Sequence, residues 1–574
     1  MNKKDVASVL EEIGTLLELK GENPFKTRAY FNAARTITGL TDDLKTLVET
    51  GEISKIKGIG KALAEKIGTL VTTGSLPYYE ELKAEFPPTI FDLMNIPGLG
   101  PKKIKKLYDT LGISSLIELE YACNENRLVD LEGFGAKTQE NILQGIEARK
   151  KYSEKFHYPV AENAARSMID HIRKAKGIKR SEIAGSLRRR KEIIGDIDIL
   201  VSATQKDTSG IMKKFVSAPE VERVIAEGKT KSSVFLKTGI NVDVRVVTDK
   251  EFPFALHYFT GSKEHNVTMR RIAKEHQLKL NEYGLFHESN NKPVSCKDEK
   301  DIFEKLNLIY IEPELREDTG EIEAAVKNKL PDLIQESDVK GTFHCHTTYS
   351  DGANTLKEMA NAAMKNKWQY LGIADHSKSA QYARGLSVAD LKKQRKEIDQ
   401  LNDKHDTFRI FHGVESDIIV DGSLDYDDKT LADLDYVVAS VHSRFKMSEA
   451  EMTKRIIKAV KNKYVTVLGH PTGRLLLSRD GYQVDLVKVI EAASDYGKAI
   501  EINSHPYRLD LDWRMVKFAK GKGVKIFINP DAHNTDGLGD VRYGVGIARK
   551  GWLEREDVIN TMDLDDVVKY LGLA

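Results

Sequence analysis

The chain of 574 residues is long enough for about three to five domains, and its 30% charged and 40% hydrophobic residues exclude a disordered or fibrous protein in favour of one with real cores. A net charge of +1 does not identify partners, because basic blocks (Lys102-Lys103-Ile104-Lys105-Lys106, Arg188-Arg189-Arg190-Lys191) cancel acidic ones such as Asp425-Tyr426-Asp427-Asp428. Three scattered cysteines, Cys123, Cys296 and Cys345, exclude a disulfide framework and fit a reducing cytoplasm, and no apolar run has the length of a membrane span.

The first predicted element is a helix from about Asp5 that puts Val6, Val9, Leu10, Ile13, Leu16 and Leu17 on one face. Its acidic residues mark an amphipathic helix rather than a signal peptide. Short helices with Gly-rich turns follow to about residue 85, and a second helical block runs to about Ala148. A repeat lies across both: Ile56-Lys57-Gly58-Ile59-Gly60, Ile96-Pro97-Gly98-Leu99-Gly100 and Leu131-Glu132-Gly133-Phe134-Gly135, each followed by a helical stretch. The glycines permit a tight turn with positive φ, and the next helix then presents free backbone N–H groups to a phosphate. This is the helix–hairpin–helix pattern. One copy is no more than a turn. Three copies, with Lys102 and other lysines close by, point to sequence-independent, salt-sensitive contact with a nucleic-acid backbone.

Between about His157 and Thr248 the pattern changes to strands and helices, with clear strands at Asp196–Ser202 and Ile240–Val247. Asp196 and Asp198 are two apart on a strand and so face one side. Asp243 on the second strand supplies a third carboxylate, and the Gly185-Ser186 turn precedes all three. Converging carboxylates repel one another unless cations hold them, and a pair of Mg²⁺ ions would both neutralise them and serve phosphoryl transfer. The Gly-Ser turn and Arg189 would hold a triphosphate. A lone Asp-x-Asp is more often a solvated strand edge, but Gly-Ser, Asp-x-Asp and a later strand Asp in this order favour the catalytic reading. A mixed segment follows to about Pro313, then a charged stretch to Asp338 that reads as a linker with some helix.

From Gly341 onward seven short apolar strands are predicted, most ending on a ligand-type residue: His344 and His346, then Asp375 and His376, Glu415, His442, His470, Asn503, and finally Asp531 and His533. In a closed parallel barrel the carboxyl ends of the strands converge on one face, which would gather these groups into one polynuclear centre. Mixed imidazole and carboxylate ligands suit Zn²⁺ or Mn²⁺, up to three ions, and a water of lowered pKa would serve hydrolysis of a phosphoester. Any single histidine is more often a hydrogen-bonded core residue, and the shared strand-end placement argues against that reading. Cys345 should alternate away from the metals. His405, His412 and His505 fall outside the pattern, and Arg384, Arg444 and Arg474 are candidates for phosphate only by closeness in sequence.

The segment around Gly185-Ser186 and Asp196-Ile197-Asp198 resembles the palm of family X DNA polymerases. Tyr258-Phe259-Thr260-Gly261-Ser262 resembles that family's nucleotide-pocket motif, and Asn281-Glu282-Tyr283-Gly284 with Asp301–Leu306 and Tyr310–Pro313 resembles its thumb. The resemblance covers residues 1–315 and implies catalytic Asp196, Asp198 and Asp243, with substrate contacts at Gly185, Ser186, Arg189, Gly195, Tyr258, Phe259, Gly261, Asn266 and Arg270. Where the family has a triphosphate-binding arginine, this chain has His157. Gly58–Ile67 resembles the family's lyase domain, which implies a Schiff-base role for Lys66, a phosphate contact at Lys26 and backbone contacts at Gly58, Gly60, Gly98, Gly100, Lys102, Gly133 and Gly135. A neighbouring family lysine is Ala62 here, and a surface lysine binding phosphate is the competing reading of Lys66. The C-terminal set His344, His346, Asp351, His376, Glu415, His442, His470, Asp531 and His533 resembles the polymerase and histidinol phosphatase (PHP) domain.

The expected fold is multidomain α/β. Helical domains at 1–85 and 86–150 precede a nucleotidyltransferase palm with a mixed sheet at 151–255 and a thumb-type subdomain at 256–315. A linker at 316–338 leads to a (β/α)₇ PHP barrel at 339–574. The expected function is gap-filling repair synthesis on primed DNA from deoxynucleoside triphosphates, using Mg²⁺, by a cytoplasmic monomer with no membrane contact. The barrel is expected to act as a 3′→5′ exonuclease, with abasic-site or 3′-phosphate cleavage as further activities. The alternatives are a phosphoesterase that uses its N-terminal half only to bind DNA, and a polymerase with an inactive PHP scaffold.

Overall fold

The computed structural model describes the chain except residues 2, 39, 41–43, 95, 97, 130, 150–154 and 574. Pro97 of the second hairpin motif and the domain boundary expected at 150–151 lie outside the described residues. Two compact units form, Met1–Ala148 and Arg149–Ala574.

In the first unit the expected helix is Lys3–Lys20, and it buries Val6, Leu10, Ile13, Leu16 and Leu17 against Tyr30, Ala33 and Ile37 of Pro24–Thr38, with Val9 at the rim. The three hairpin motifs lead into helices Lys61–Thr73 (α1), Pro101–Leu111 (α2) and Ala136–Arg149 (α3). Gly58, Gly98 and Gly133 all take positive φ (97°, 83° and 86°), a conformation that other residues adopt only with strain. Ile59 and Leu99 are buried and fasten their turns from inside. A methyl group added at Gly60, Gly98, Gly100, Gly133 or Gly135 would meet nothing within 4 Å. The turns are therefore anchored on one side and open on the other.

The second unit begins with a mixed sheet of Ile178–Ile183 (β1), Asp196–Ala203 (β2), Val221–Glu227 (β3), Lys231–Leu236 (β4) and Asn241–Val247 (β5) in the order β1-β2-β5-β4-β3. The β2–β5 pair is parallel and its neighbours are antiparallel. Helices Phe252–Thr260 (α4) and Lys263–Glu275 (α5) follow, with a small three-stranded antiparallel sheet over Met269, Leu280, Leu285, Ile302 and Phe303. Residues 316–338 do carry a helix, Glu321–Val326, and they are packed: Arg316 and Glu321 are fully buried, and Ile334 N–H donates to Leu553 O at 3.1 Å.

The barrel has seven parallel strands in chain order: Gly341–Cys345 (β6), Tyr370–Ile373 (β7), Arg409–Asp417 (β8), Tyr436–Ser440 (β9), Val467–Leu468 (β10), Ala499–Asn503 (β11) and Ile526–Asn529 (β12). It is closed between β12 and β6 by side chains more than by a ladder: Thr342 Oγ1 donates to Ile528 O at 3.1 Å, and Phe343 N–H to Asn529 Oδ1 at 3.1 Å. One end is filled by Phe343, Tyr370, Phe411, Tyr436, Val438, Val467 and Phe527, with apolar residues of Leu564–Tyr570 packed against them. Alternation along the strands therefore leaves the opposite, carboxyl-end mouth for polar groups. Helix Val541–Lys550 (α6) lies on the outside of β11 and β12. The β1–β5 sheet and the barrel share one continuous apolar core, which runs from Ile197, Val201 and Val244 to Val437, Ile500 and Val545. Among the described residues no helix is long and apolar enough to cross a membrane.

Candidate active sites

The register of β2 against β5 sets Asp198 opposite Asp243 and Asp196 opposite Asn241. Opposed residues in a parallel ladder share a face, so the three carboxylates lie on one side of the sheet while Ile197, Val242 and Val244 are fully buried on the other. Burial, with Asp196 and Asp243 alongside, pushes the Asp198 carboxyl up to about 6 in spite of Lys231 and Arg245. Lys231 Nζ of β4 is 2.5 Å from Asp243 Oδ2. An all-oxygen donor set with more like charge than one lysine offsets fits a hard divalent cation. Gly185 lies against it: its φ is 65°, and a Cβ there would fall 2.4 Å from Asp198 Oδ2, so the Gly-Ser turn reaches the carboxylates only because it lacks a side chain.

Around this cluster, Arg188 Nη1 donates to Thr260 Oγ1 at 2.6 Å and Arg189 Nη1 to Thr260 O at 2.5 Å, which ties the Gly-Ser turn to the end of α4. Tyr258, Asn266, Arg270 and Asn281 line one small pocket with His257 and Leu280. Asn266 Nδ2 donates to Tyr258 O at 2.7 Å, and Arg270, one turn further along α5, donates to Asn266 O at 3.2 Å. Gly195 directly precedes β2, and Phe259 stacks under Arg245 at 4.5 Å. His157 is turned elsewhere: it is buried, its ring stacks on Tyr507 at 4.2 Å, and Nε2 lies 3.1 Å from Leu476 O. It gives no substitute for the missing arginine.

At the barrel mouth all nine expected groups converge and are buried or nearly so. Glu415 is the pivot. Its oxygens lie 3.2 Å from His344 Nε2, 2.9 Å from His376 Nδ1, 3.1 Å from His442 Nε2 and 2.9 Å from His470 Nε2. Asp351 is 3.5 Å from His376 Nε2 and 3.3 Å from His533 Nε2, and Asp531 is 3.1 Å from His346 Nε2. The ligand atoms group as His346–Asp351–His376–His533, His344–Glu415–His470, His344–His346–Asp531 and His376–Glu415–His442, each within 4.8 Å. Burial disfavours the charged ring of His376, yet Asp351 and Glu415 outweigh it and raise the group to about 10. Buried His344 Nε2, His346 Nδ1, both ring nitrogens of His376 and Glu415 Oε2 have no hydrogen-bond partner among the described residues. Buried polar atoms left so are costly, and divalent cations among them would remove the cost.

Alternation aims His344 and His346 to one side, as expected, but it does not account for Phe343 facing inward as well. The β6 ladder shifts register between Thr342 and Cys345, and His344 has a φ of 54°. This bulge lets Phe343 join the apolar plug while its neighbour His344 still reaches the metal-type cluster. Cys345 points away, into the shell with Leu356 and Met359. Two carboxylates escaped the sequence reading. Glu501 Oε2 is 2.6 Å from His344 Nδ1, while its other oxygen accepts the His470 N–H at 3.0 Å; Asp417 Oδ1 is 2.5 Å from His442 Nδ1. Such partners fix the ring tautomer. The signal was present, since Asp417 is two residues after Glu415 and Glu501 two before Asn503 on the same strand faces. Asp375 serves the loop instead, accepting from Thr347 N–H and from Thr347, Ser350 and Gln394 side chains. His412 is a core residue bonded to Gln394. Arg474 is spent on Asp512 and the carbonyls of Arg508 and Leu509, whereas buried Arg508 has Nε 3.7 Å from Asp531 Oδ2. Arg384 and Arg444 are exposed.

In the first unit Lys66 Nζ is 2.5 Å from Tyr30 Oη and 3.6 Å from the centre of the Tyr78 ring. Burial lowers its pKa, Tyr78 opposes this, and Lys26 adds to the lowering. Lys26 is near Glu22 at 3.4 Å, and Lys102 is exposed in the first turn of α2.

A carboxylate-bearing mixed sheet beside an imidazole-lined seven-stranded barrel defines a two-centre, metal-dependent phosphoryl-transfer protein. Family matches agree: a helix-hairpin-helix domain at residues 1–76, a SAM-like helix-hairpin-helix tandem at 90–148, a DNA polymerase beta thumb at 255–317 and a PHP domain at 342–505. The chain is 40% identical over 573 residues to the DNA polymerase/3′-5′ exonuclease PolX of Bacillus subtilis (strain 168), which covers 100% of this chain and 99% of that relative. It is also 32% identical over 240 residues to a probable phosphatase of Thermoanaerobacter sp. (strain X514), across 40% of this chain and 92% of the relative. The chain belongs to the PolX family of DNA polymerases with a PHP domain.

Proposed function

We propose that this chain is a gap-filling repair DNA polymerase that also removes nucleotides from 3′ ends at its barrel. The observation that carries the reading is the parallel register placing Asp198 beside Asp243, in the same compact unit as the nine-residue barrel cluster. Residues 1–85 and 86–150 are assigned to DNA contact, 151–255 to synthesis, 256–315 to the nucleotide, 316–338 to connection and 339–574 to hydrolysis.

In synthesis Asp196, Asp198 and Asp243 would hold Mg²⁺, which would lower the pKa of the primer 3′-hydroxyl and offset charge on the leaving pyrophosphate. Gly185 and Ser186 offer backbone N–H groups to the triphosphate, and Arg189 a charged fork. Asn266 and Arg270 read the edge of the base pair from α5. In hydrolysis the nine barrel groups would hold Zn²⁺ or Mn²⁺, which would supply a nucleophilic water and a Lewis acid for the scissile phosphate. Glu501 and Asp417 keep His344 and His442 in one tautomer. Three buried cysteines, none of them in a disulfide, suit a reducing cytoplasm. The test is a gapped duplex labelled at the primer 5′ end. Extension with nucleotides and shortening without them support the proposal, and a primer unchanged in both mixtures ends it.

A pH dependence follows from Asp198. Burial beside Asp196 and Asp243 pushes its carboxyl up to about 6, so below that value protons would compete with Mg²⁺ for the site. The Mg²⁺ concentration for half-maximal extension is expected to stay flat above about pH 7 and to rise about tenfold per pH unit below 6. A flat requirement down to pH 5 would contradict the assignment.

The desolvated position of Lys66 favours a lyase activity, since a neutral amine attacks an abasic-site aldehyde. Borohydride reduction is expected to cross-link the chain to abasic-site DNA, and Lys66→Ala to reduce the yield by about tenfold or more. Equal trapping by both proteins would leave Lys66 as a phosphate contact.

A further inference from the structure

Between the polymerase sheet and the barrel lies an ion cluster with more positive than negative charge. Glu317 Oε1 accepts from Arg189 Nε at 3.1 Å and from Lys550 Nζ at 2.5 Å, while Lys191 Nζ is 3.1 Å from Oε2. The Lys550 side chain is 0% exposed, Glu317 8% and Arg189 12%. Lys550 also donates to Arg189 O at 3.1 Å and Glu314 O at 3.2 Å, and its ammonium stands 4.7 Å over the Trp513 ring. The nearby Glu314 carboxylate is committed to Arg549 at 2.7 Å. One carboxylate thus serves three cations. Burial, against the pull of Glu317, takes Lys550 down to about 8.

Lys550 closes α6 of the barrel, far in sequence from Arg189. We infer that Lys550 is a positioning residue for the polymerase's nucleotide site. It takes up the charge of Glu317, so that Arg189 is anchored through Nε and Nη1 while its positive charge remains available to an incoming triphosphate. In a low-dielectric setting a carboxylate shared among three cations neutralises each only in part. Deleting one cation returns its share of the field to the other two, and Arg189 is the one next to the Gly-Ser turn. The buried excess of positive charge is itself unfavourable unless an anion completes it, and a triphosphate supplies that anion. The barrel thereby contributes to nucleotide binding without touching the nucleotide.

This inference rests on Arg189 binding the triphosphate, and the experiment separates the two. Gap filling by the full chain is measured against nucleotide concentration for the wild type, Lys550→Met, Glu317→Gln, the double variant and Arg189→Ala, with exonuclease rate and melting temperature alongside. Lys550→Met is expected to raise the nucleotide KM about tenfold with kcat nearly unchanged, the effect of one charge-assisted contact. Glu317→Gln, which removes the competing charge, is expected to lower KM about threefold, and the double variant to return KM towards the wild-type value. Exonuclease rate stays as in the wild type. A Lys550→Met KM equal to wild type overturns the inference. So does a parallel fall in kcat, exonuclease rate and melting temperature with no recovery in the double variant, which describes a structural lysine. If Lys550→Met does not fold, the Glu317→Gln result decides, because a raised KM there is the opposite of what is inferred. An Arg189→Ala enzyme with unchanged KM would instead remove the triphosphate role of Arg189.

Discussion

Asp243→Ala is expected to reduce primer extension by roughly 10³-fold or more while the barrel continues to shorten the same primer. Asp243 shares its face with Asp196 and Asp198 and pairs with Lys231. Its removal leaves a site with too few oxygens to hold Mg²⁺ against water, and it frees Lys231 to turn to the remaining carboxylates. Because β5 is buried by Val242 and Val244 on its far face, the strand stays in place and the protein folds. Nucleotide KM would change less than kcat, since the loss falls on the transition state. Retained extension with intact exonuclease would mean that the sheet is only a platform for DNA.

The converse result is expected of His344→Ala. Its Nε2 belongs to two of the four ligand groups, with Glu415 at 3.2 Å and Asp531 at 3.5 Å. One substitution therefore weakens two cation positions and also leaves Glu501 without its imidazole partner. Hydrolysis is expected to fall by roughly 10²-fold or more, the metal content of the purified protein to drop, and gap filling to persist. Measuring metal by elemental analysis next to activity distinguishes a lost ligand from a lost fold. Full exonuclease activity in this variant would exclude the barrel as the hydrolytic centre, and a wild-type protein with no bound metal and no nuclease under Mn²⁺ would mark the barrel as a scaffold.

The barrel strands and eight of the nine mouth groups were legible because each strand is a short apolar run that stops at or just before a ligand-type residue, a pattern that needs no tertiary information; Asp351, in the loop after β6, came only from the resemblance to the PHP domain. The three aspartates were legible for a similar reason, the period of two along a strand. What alternation hides is a break in itself. The bulge at His344 makes Phe343 and His344 face the same interior, and nothing in Gly341–His346 announces it. Asp417 was missed because β8 continues to Asp417, three residues beyond the expected end at Val414. Glu501 was missed because a carboxylate inside an apolar strand reads as an interruption of the core rather than as a partner for an imidazole far along the chain. Arg474 and Arg508 show the limit of closeness in sequence: both follow His470, and only the fold decides that Arg474 faces backbone carbonyls and Asp512 while Arg508 faces Asp531. Lys550 gave no signal at all, since its meaning depends on Glu317 and Arg189.

The apolar core that passes without interruption from the sheet into the barrel fixes how the two chemistries must share a substrate. Parting the sheet from the barrel would break the apolar core they share, so both catalytic centres stay within one compact unit. A primer end that is extended at one centre and shortened at the other therefore has to leave the first to reach the second.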